Sequence, residues 1–221
     1  MPMTIGLIDE ESLQLHTIRM VIKSNTPTGE EIPNFKNYEL HGTMATLREK
    51  IVHEIIRDIM DGSISSLLID YKIMIDTALI EGSDLYKMIY DLVPQFPLII
   101  LTDVPEACFD KAFLDSDKVY RKSDFFQVES RLSKEKVENI FRNAKRYINQ
   151  RNYLSLTLEK LKEQIAEQGM TEELYRELLD VEIALKDFYP SGITKYDNLY
   201  DATKMREIID IIDKASQLLG E

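Results

Sequence analysis

Charged side chains and one hydroxyl fall just after the apolar runs in the first half of this chain. Asp9, Glu10 and Glu11 follow Thr4–Ile8, Asp70 follows Ser66–Ile69, Thr102 follows Pro97–Leu101, and Lys122 lies just beyond Lys118–Tyr120. Carboxylates crowded together repel one another unless a hard cation such as Mg²⁺ lies between them, so Asp9, Glu10 and Asp70 read as candidate metal ligands. A carboxylate held against such a cation can attack a phosphoryl group to form an acyl phosphate. Lys122 would then pair its ammonium with the phosphoryl oxygens and Thr102 would donate one hydrogen bond to them, so that metal, ammonium and hydroxyl share the transferring charge. Each residue also has an ordinary role open to it. Acidic residues after a strand serve as helix N-caps or first-turn residues, Thr102 could cap a helix at Pro105, Lys122 could be a surface lysine and Asp70 a loop residue. The chemical reading gains because all of them fall at the ends of apolar runs, in order.

Those runs are near-continuous in Ile and Leu, the appearance of strands buried on both faces of a parallel sheet. Weaker strand candidates are Tyr38–His41 and Lys118–Tyr120. Between the five candidates lie segments of helical period: Ser12–Ile22, Ala45–Met60, Asp84–Val93, Pro105–Leu114 and Lys134–Asn149. The order is β then α, five times over. That predicts an α/β fold with a five-stranded parallel doubly wound sheet and right-handed crossovers. In such a sheet ligands sit beyond the carboxyl ends of the strands, where the charged residues fall.

The helical period continues past the fifth strand. Ile140, Tyr147, Leu154 and Leu161 repeat at seven, interleaved with Ala144, Arg151, Leu158 and Ile165, so they form one stripe along a helix of about 35 residues. The stripe can serve as the seam of a homodimer or pack on the chain's own later helices, and Arg151 interrupts it. Gly169 ends this helix, Thr171 caps the next as far as about Phe188, Pro190-Ser191-Gly192 reads as a turn, and a last helix is expected from Ala202 to Leu219. The expected organisation is thus a domain over residues 1–132, a long helix with coiled-coil character over 133–168, and an all-α helical hairpin over 169–221.

Composition narrows the function. A formal net charge of −12 over 221 residues repels nucleic acid and anionic membranes. Residues 151–221, where an RNA-binding tail would sit, carry nine Lys or Arg against fifteen Asp or Glu. Arg142, Lys145, Arg146 and Arg151 share their helix with Glu135 and Glu138 and read as a solvated face. Cys108, the single cysteine, is core filler in a predicted helix and fits a reducing compartment. No signal peptide or membrane span is apparent, so a cytoplasmic protein is expected. His16, His41 and His53 lie away from the expected strand ends.

The constellation resembles the receiver domain of two-component response regulators over residues 3 to about 150. Gly6-Leu7-Ile8-Asp9-Glu10-Glu11 is similar to the family's first strand with its acidic pair, and Leu67-Leu68-Ile69-Asp70 to its phosphoacceptor strand. Glu81-Gly82-Ser83-Asp84-Leu85 resembles the acidic-Gly step that opens the third helix, Pro97-Leu98-Ile99-Ile100-Leu101-Thr102 the fourth strand, and Val119-Tyr120-Arg121-Lys122 the fifth. The resemblance implies Mg²⁺ binding at Asp9, Glu10 and Asp70 with the backbone carbonyl of Lys72, phosphorylation of Asp70, and phosphoryl contacts from Thr102 and Lys122. It further implies a protein partner, a histidine kinase or another complex subunit. No enzymatic activity is implied beyond gain and loss of a phosphoryl group on the chain's own aspartate.

The chain departs from the family at several positions. Asp103 replaces a small residue after Thr102, and Ser123 replaces the usual proline after Lys122. Val119 stands where an aromatic switch residue is usual, and on a strand the adjacent Tyr120 faces the other way. The loop after Asp70 is about four residues longer than usual, Lys72 could offset the acidic cluster, and Ser24–Lys36 is an insertion. Two functional expectations follow: a phosphoaspartate receiver that regulates protein–protein interaction through its helical tail, and a non-phosphorylated receiver fold that serves as a scaffold in a multiprotein complex.

Overall fold

The computed structural model describes residues 3–40, 44–75, 78–108 and 110–189. The elements in chain order are β1 (Thr4–Ile8), α1 (Ser12–Ser24), β2 (Asn34–Asn37), α2 (Met44–Asp61), β3 (Ser66–Asp70), β4 (Lys72–Ile75), β5 (Ala78–Glu81), α3 (Gly82–Leu92), β6 (Leu98–Thr102), β7 (Val119–Arg121), α4 (Lys122–Phe125), α5 (Arg131–Gln168) and α6 (Glu172–Lys186). Five of the strands form one parallel sheet in the order β2-β1-β3-β6-β7. This is the 2-1-3-4-5 arrangement of a doubly wound sheet, and its strand order reverses beside β1 and β3.

Alternation along each strand builds two cores. Leu67 and Ile69 of β3 and Leu98 and Ile100 of β6 pack with Ile55 and Ile59 of α2 and Leu85 and Ile89 of α3. Leu68, Ile99 and Leu101 point the other way, onto Ile18 and Ile22 of α1 and Val137, Ile140 and Phe141 of α5. Because both faces are covered, every residue of β3 and β6 is buried. That is the physical origin of the uninterrupted apolar runs.

The second strand lies at Asn34–Asn37, not at Tyr38–His41. It is an edge strand with half-exposed residues, so it lacks the apolar run that marks the inner strands. Tyr38 stands just past it with a buried ring, its hydroxyl donating to Asp58 Oδ2 at 2.7 Å; His41 lies outside the described residues. The helix expected over Pro105–Leu114 is also absent. In its place are a 3₁₀ turn at Pro105–Cys108 and further turns, with a second 3₁₀ turn at Ser116–Lys118. Side-chain ties hold this segment to its neighbours. Tyr71 donates to the Ala107 carbonyl at 3.4 Å, Lys111 ion-pairs with Glu81 at 2.5 Å and bonds Ser83 at 2.6 Å, and Cys108 is buried in the sheet core.

The long stretch after Asp70 is a β-hairpin rather than a loop. β4 and β5 pair antiparallel, with Ile73 opposite Ile80 on the buried side and Met74 opposite Leu79 on the exposed side.

The fifth helix runs unbroken from Arg131 to Gln168, capped by Ser130, whose side chain accepts from Ser133 N. Of the heptad stripe, Ile140, Ala144, Tyr147, Leu158 and Leu161 are buried within the chain, and Leu154, Arg151 and Ile165 are half-buried. Ile140 lies against the sheet domain, Tyr147 packs edge-on to Phe96 at 5.2 Å and stacks on Phe188 at 5.5 Å, and Leu158 packs with Leu178 and Leu185 of α6. Arg151, which breaks the stripe, donates to the Ile59 carbonyl in the last turn of α2 at 2.8 Å. Gly62, at φ +77°, leaves room for it: a Cβ there would stand 2.9 Å from Arg151 Nη2. Gly169, at φ +81°, turns the chain back into α6, whose cap is Thr171. The expected turn at Pro190 and helix over Ala202–Leu219 lie outside the described residues. Among the described residues no helix is long and apolar enough to cross a membrane.

Candidate functional site

The sheet brings Asp9, Glu10, Asp70, Thr102 and Lys122 to its carboxyl edge. Asp70 and Thr102 are the last residues of β3 and β6, Asp9 and Glu10 follow β1, and Lys122 follows β7. Asp9, Asp70, Thr102 and Lys122 are almost fully buried. Asp9 is neither the N-cap nor a first-turn residue of α1, whose N-cap is Glu11, but it braces the turn before the helix. Its Oδ1 accepts from the backbone N–H of Glu11 at 2.8 Å and fixes the entry to α1. Its Oδ2 is buried with no hydrogen-bond partner. Glu10 shows the same division: Oε1 accepts from Met74 N at 3.0 Å, tying β1 to the hairpin, and Oε2 is buried without a hydrogen bond.

Asp70 forms an ion pair with Lys122, Nζ to Oδ1 at 2.8 Å, and its carboxylate also accepts from the backbone N–H of Lys72. The Lys72 side chain itself is exposed on β4. Lys122 stands 3.9 Å from Asp9 Oδ2 and donates a hydrogen bond to Gln14 Oε1. Thr102 Oγ1 accepts from Val104 N at 3.1 Å, which leaves its own proton for another acceptor. Asp103, beside it, is exposed. Val119 and Tyr120 face opposite sides of the sheet, Val119 in the α2–α3 core and Tyr120 in the α1–α5 core beside Phe125.

One oxygen from each of Asp9, Glu10 and Asp70 lies within 4.8 Å of the others. Three carboxylates around one ammonium leave the cluster short of positive charge. Burial pushes the Asp9 carboxyl up to about 7; the Glu11 N–H opposes this, Asp70 adds to it, Lys122 opposes it and Glu10 adds to it. Asp70 is raised as well, by burial first, with the Lys122 hydrogen bond and charge pulling it back. A buried carboxylate oxygen with no donor is costly unless something cationic meets it. The two orphaned oxygens, Asp9 Oδ2 and Glu10 Oε2, therefore fit a metal ion held by this cluster.

Gly82 lets the elements close around Asp70. A Cβ there would lie 1.9 Å from the Asp70 carbonyl oxygen, and the Gly82 N–H donates to the Tyr71 carbonyl at 2.7 Å. The acidic-Gly step is thus a contact between the start of α3 and the end of β3. Two partners of the site escaped the sequence reading. Gln14 carries no chemical signal of its own and joins only because it lies four residues after Glu10 on the first turn of α1. Met74 joins through its backbone, which no residue type announces.

No protein-family model matches the sequence, and no curated protein matches it.

Proposed function

We propose that this chain is a receiver-like signalling protein in which Asp70 accepts a phosphoryl group with the help of Mg²⁺ held by Asp9, Glu10 and Asp70. The observation that carries the reading is the pair of orphaned oxygens, Asp9 Oδ2 and Glu10 Oε2, beside an aspartate already ion-paired to Lys122. Mg²⁺ would supply charge neutralisation between the carboxylates and the phosphoryl oxygens. An Asp70 carboxylate oxygen forms the new P–O bond, and the donor's P–O or P–N bond breaks, its electron pair leaving with the donor. Lys122 pairs with phosphoryl oxygen as its hold on Asp70 is exchanged, and Thr102 donates its hydroxyl proton. Hydrolysis of the acyl phosphate by water returns the carboxylate.

The output of this reading is a change in protein binding. Lys122 begins α4, the Phe125 carbonyl at the end of α4 accepts from Ser133 Oγ at 2.8 Å, and Ser133 lies in the first turn of α5. The same helix carries α6 on its distal half. The partner would be a protein, such as a histidine kinase upstream or another complex subunit downstream.

The second reading, a non-phosphorylated scaffold, has its own support. Lys122 already places a cation beside Asp70 and Asp9. Intact-protein mass after incubation with acetyl phosphate and Mg²⁺ separates the two, with Asp70→Asn as control. The receiver reading predicts the gain of one phosphoryl group by the wild type and none by Asp70→Asn; no gain in either favours the scaffold.

A further inference from the structure

Lys122 stands between the two halves of the acidic cluster, 2.8 Å from Asp70 Oδ1 and 3.9 Å from Asp9 Oδ2. Its other hydrogen bond goes to Gln14 Oε1. An ammonium carries three N–H donors. Two acceptors on different elements, Asp70 on β3 and Gln14 on α1, fix where it sits. Asp9 Oδ2, buried and without a hydrogen-bond partner, is left just out of reach. Because N–H···O bonds close at roughly 2.7–3.2 Å, a movement on the order of 1 Å would carry the ammonium onto Asp9. There it would bridge Asp9 and Asp70, neutralise the pair, and oppose any metal ion that used the same oxygens.

We infer that Gln14 is a positioning residue: it holds Lys122 on Asp70 and off Asp9, and so keeps the carboxylate cluster open to a divalent cation. The side chain suits this task. It is a neutral acceptor, so it restrains the ammonium without adding a fourth negative charge to the cluster. It is partly buried, and it lies on the first turn of α1, whose start is fixed by the Glu11 N–H bonded to Asp9 Oδ1. The helix thus places the restraint and the carboxylate it protects in a fixed relation. This inference rests on the metal-assisted reading of the site and gives that site its gatekeeper.

The test is a set of Mg²⁺ dissociation constants measured by isothermal titration on the full chain: wild type, Gln14→Met, Lys122→Met and the double variant. Gln14→Met preserves the length of the side chain and removes the acceptor; Gln14→Ala serves as a second variant if Met is poorly accommodated. Removing Gln14 should weaken Mg²⁺ binding about tenfold, the size of loss typical when a residue that orients a metal site is removed. In the Lys122→Met background the same change should have no effect, because the competing ammonium is gone. In the acetyl phosphate reaction, Gln14→Met should raise the Mg²⁺ concentration for half-maximal rate by the same factor. The inference is overturned if the Gln14 variants bind Mg²⁺ as the wild type does, or lose the same factor with and without Lys122. A wild-type chain that binds no Mg²⁺ would instead overturn the proposed function, and the inference with it.

Discussion

Asp9 and Asp70 are both held above the ordinary carboxylate range, and the sign of that shift sets how the metal-free protein responds to pH. A carboxyl raised from 3.8 to about 7 binds its proton more tightly folded than unfolded. Its contribution to stability is therefore full below about pH 4 and is lost as pH rises through about 7. Denaturant unfolding of the metal-free chain should show lower stability at pH 8 than at pH 5. Asp9→Asn should recover on the order of 2 kcal/mol at pH 8 and nothing near pH 4. Metal affinity should run the opposite way, rising with pH up to about 7 and then levelling, as the cation no longer competes with a proton on Asp9. Gly82 is the other decisive residue. Gly82→Ala puts a methyl 1.9 Å from the Asp70 carbonyl oxygen, and both are backbone-anchored. Either α3 or the end of β3 must move. We predict a loss of at least about 2 kcal/mol by urea unfolding and weaker metal binding than in the wild type.

The elements differ in how plainly the sequence announced them. β1, β3 and β6 were legible because inner strands covered on both faces need apolar residues at consecutive positions, and Asp9, Asp70 and Thr102 stood out as the residues that break those runs. β2 lies four residues before the expected Tyr38–His41 because an edge strand needs apolar residues on neither a full face nor a full run, so no apolar run marks it. The β4–β5 hairpin is not legible in the sequence, since without the pairing of Ile73 with Ile80 and Met74 with Leu79 so short an alternation reads equally well as a loop. Pro105–Leu114 carries helical spacing, but Tyr71 and Lys111 tie it in turns to the hairpin and α3, and tertiary ties outweigh weak helical preference. Arg151 interrupts the apolar stripe in the sequence because its partner, the Ile59 carbonyl at the end of α2, is 92 residues away. Arg151→Ala should therefore uncap α2 and lower stability by about 1–2 kcal/mol. Hydrogen exchange should show faster opening in the last turn of α2 and the middle of α5. Unchanged protection at both places would contradict this account of the arginine.

At the scale of the molecule, the sheet domain and α6 pack against one helix, α5. α5 covers the sheet through Val137, Ile140 and Phe141, crosses the aromatic group of Phe96, Tyr147 and Phe188, and ends against α6. A change at Lys122 has a short covalent and hydrogen-bonded route to that helix through Phe125 and Ser133. Leu158, Leu178 and Leu185 pack α5 and α6 into one unit. Leu158→Ala should loosen it by about 2–3 kcal/mol, read as a separate early transition in denaturant. A single unshifted transition would show that α6 contributes little to holding the unit together. The central claim, however, concerns the strand ends, and its most direct measurement is the rate of phosphoryl uptake from acetyl phosphate, followed by intact mass, with Mg²⁺ present and with Mg²⁺ removed by chelation. The account predicts one phosphoryl group added in the presence of Mg²⁺, none after chelation, and none in Asp70→Asn under either condition. Uptake that persists without Mg²⁺ or in Asp70→Asn, or no uptake at all, would contradict it.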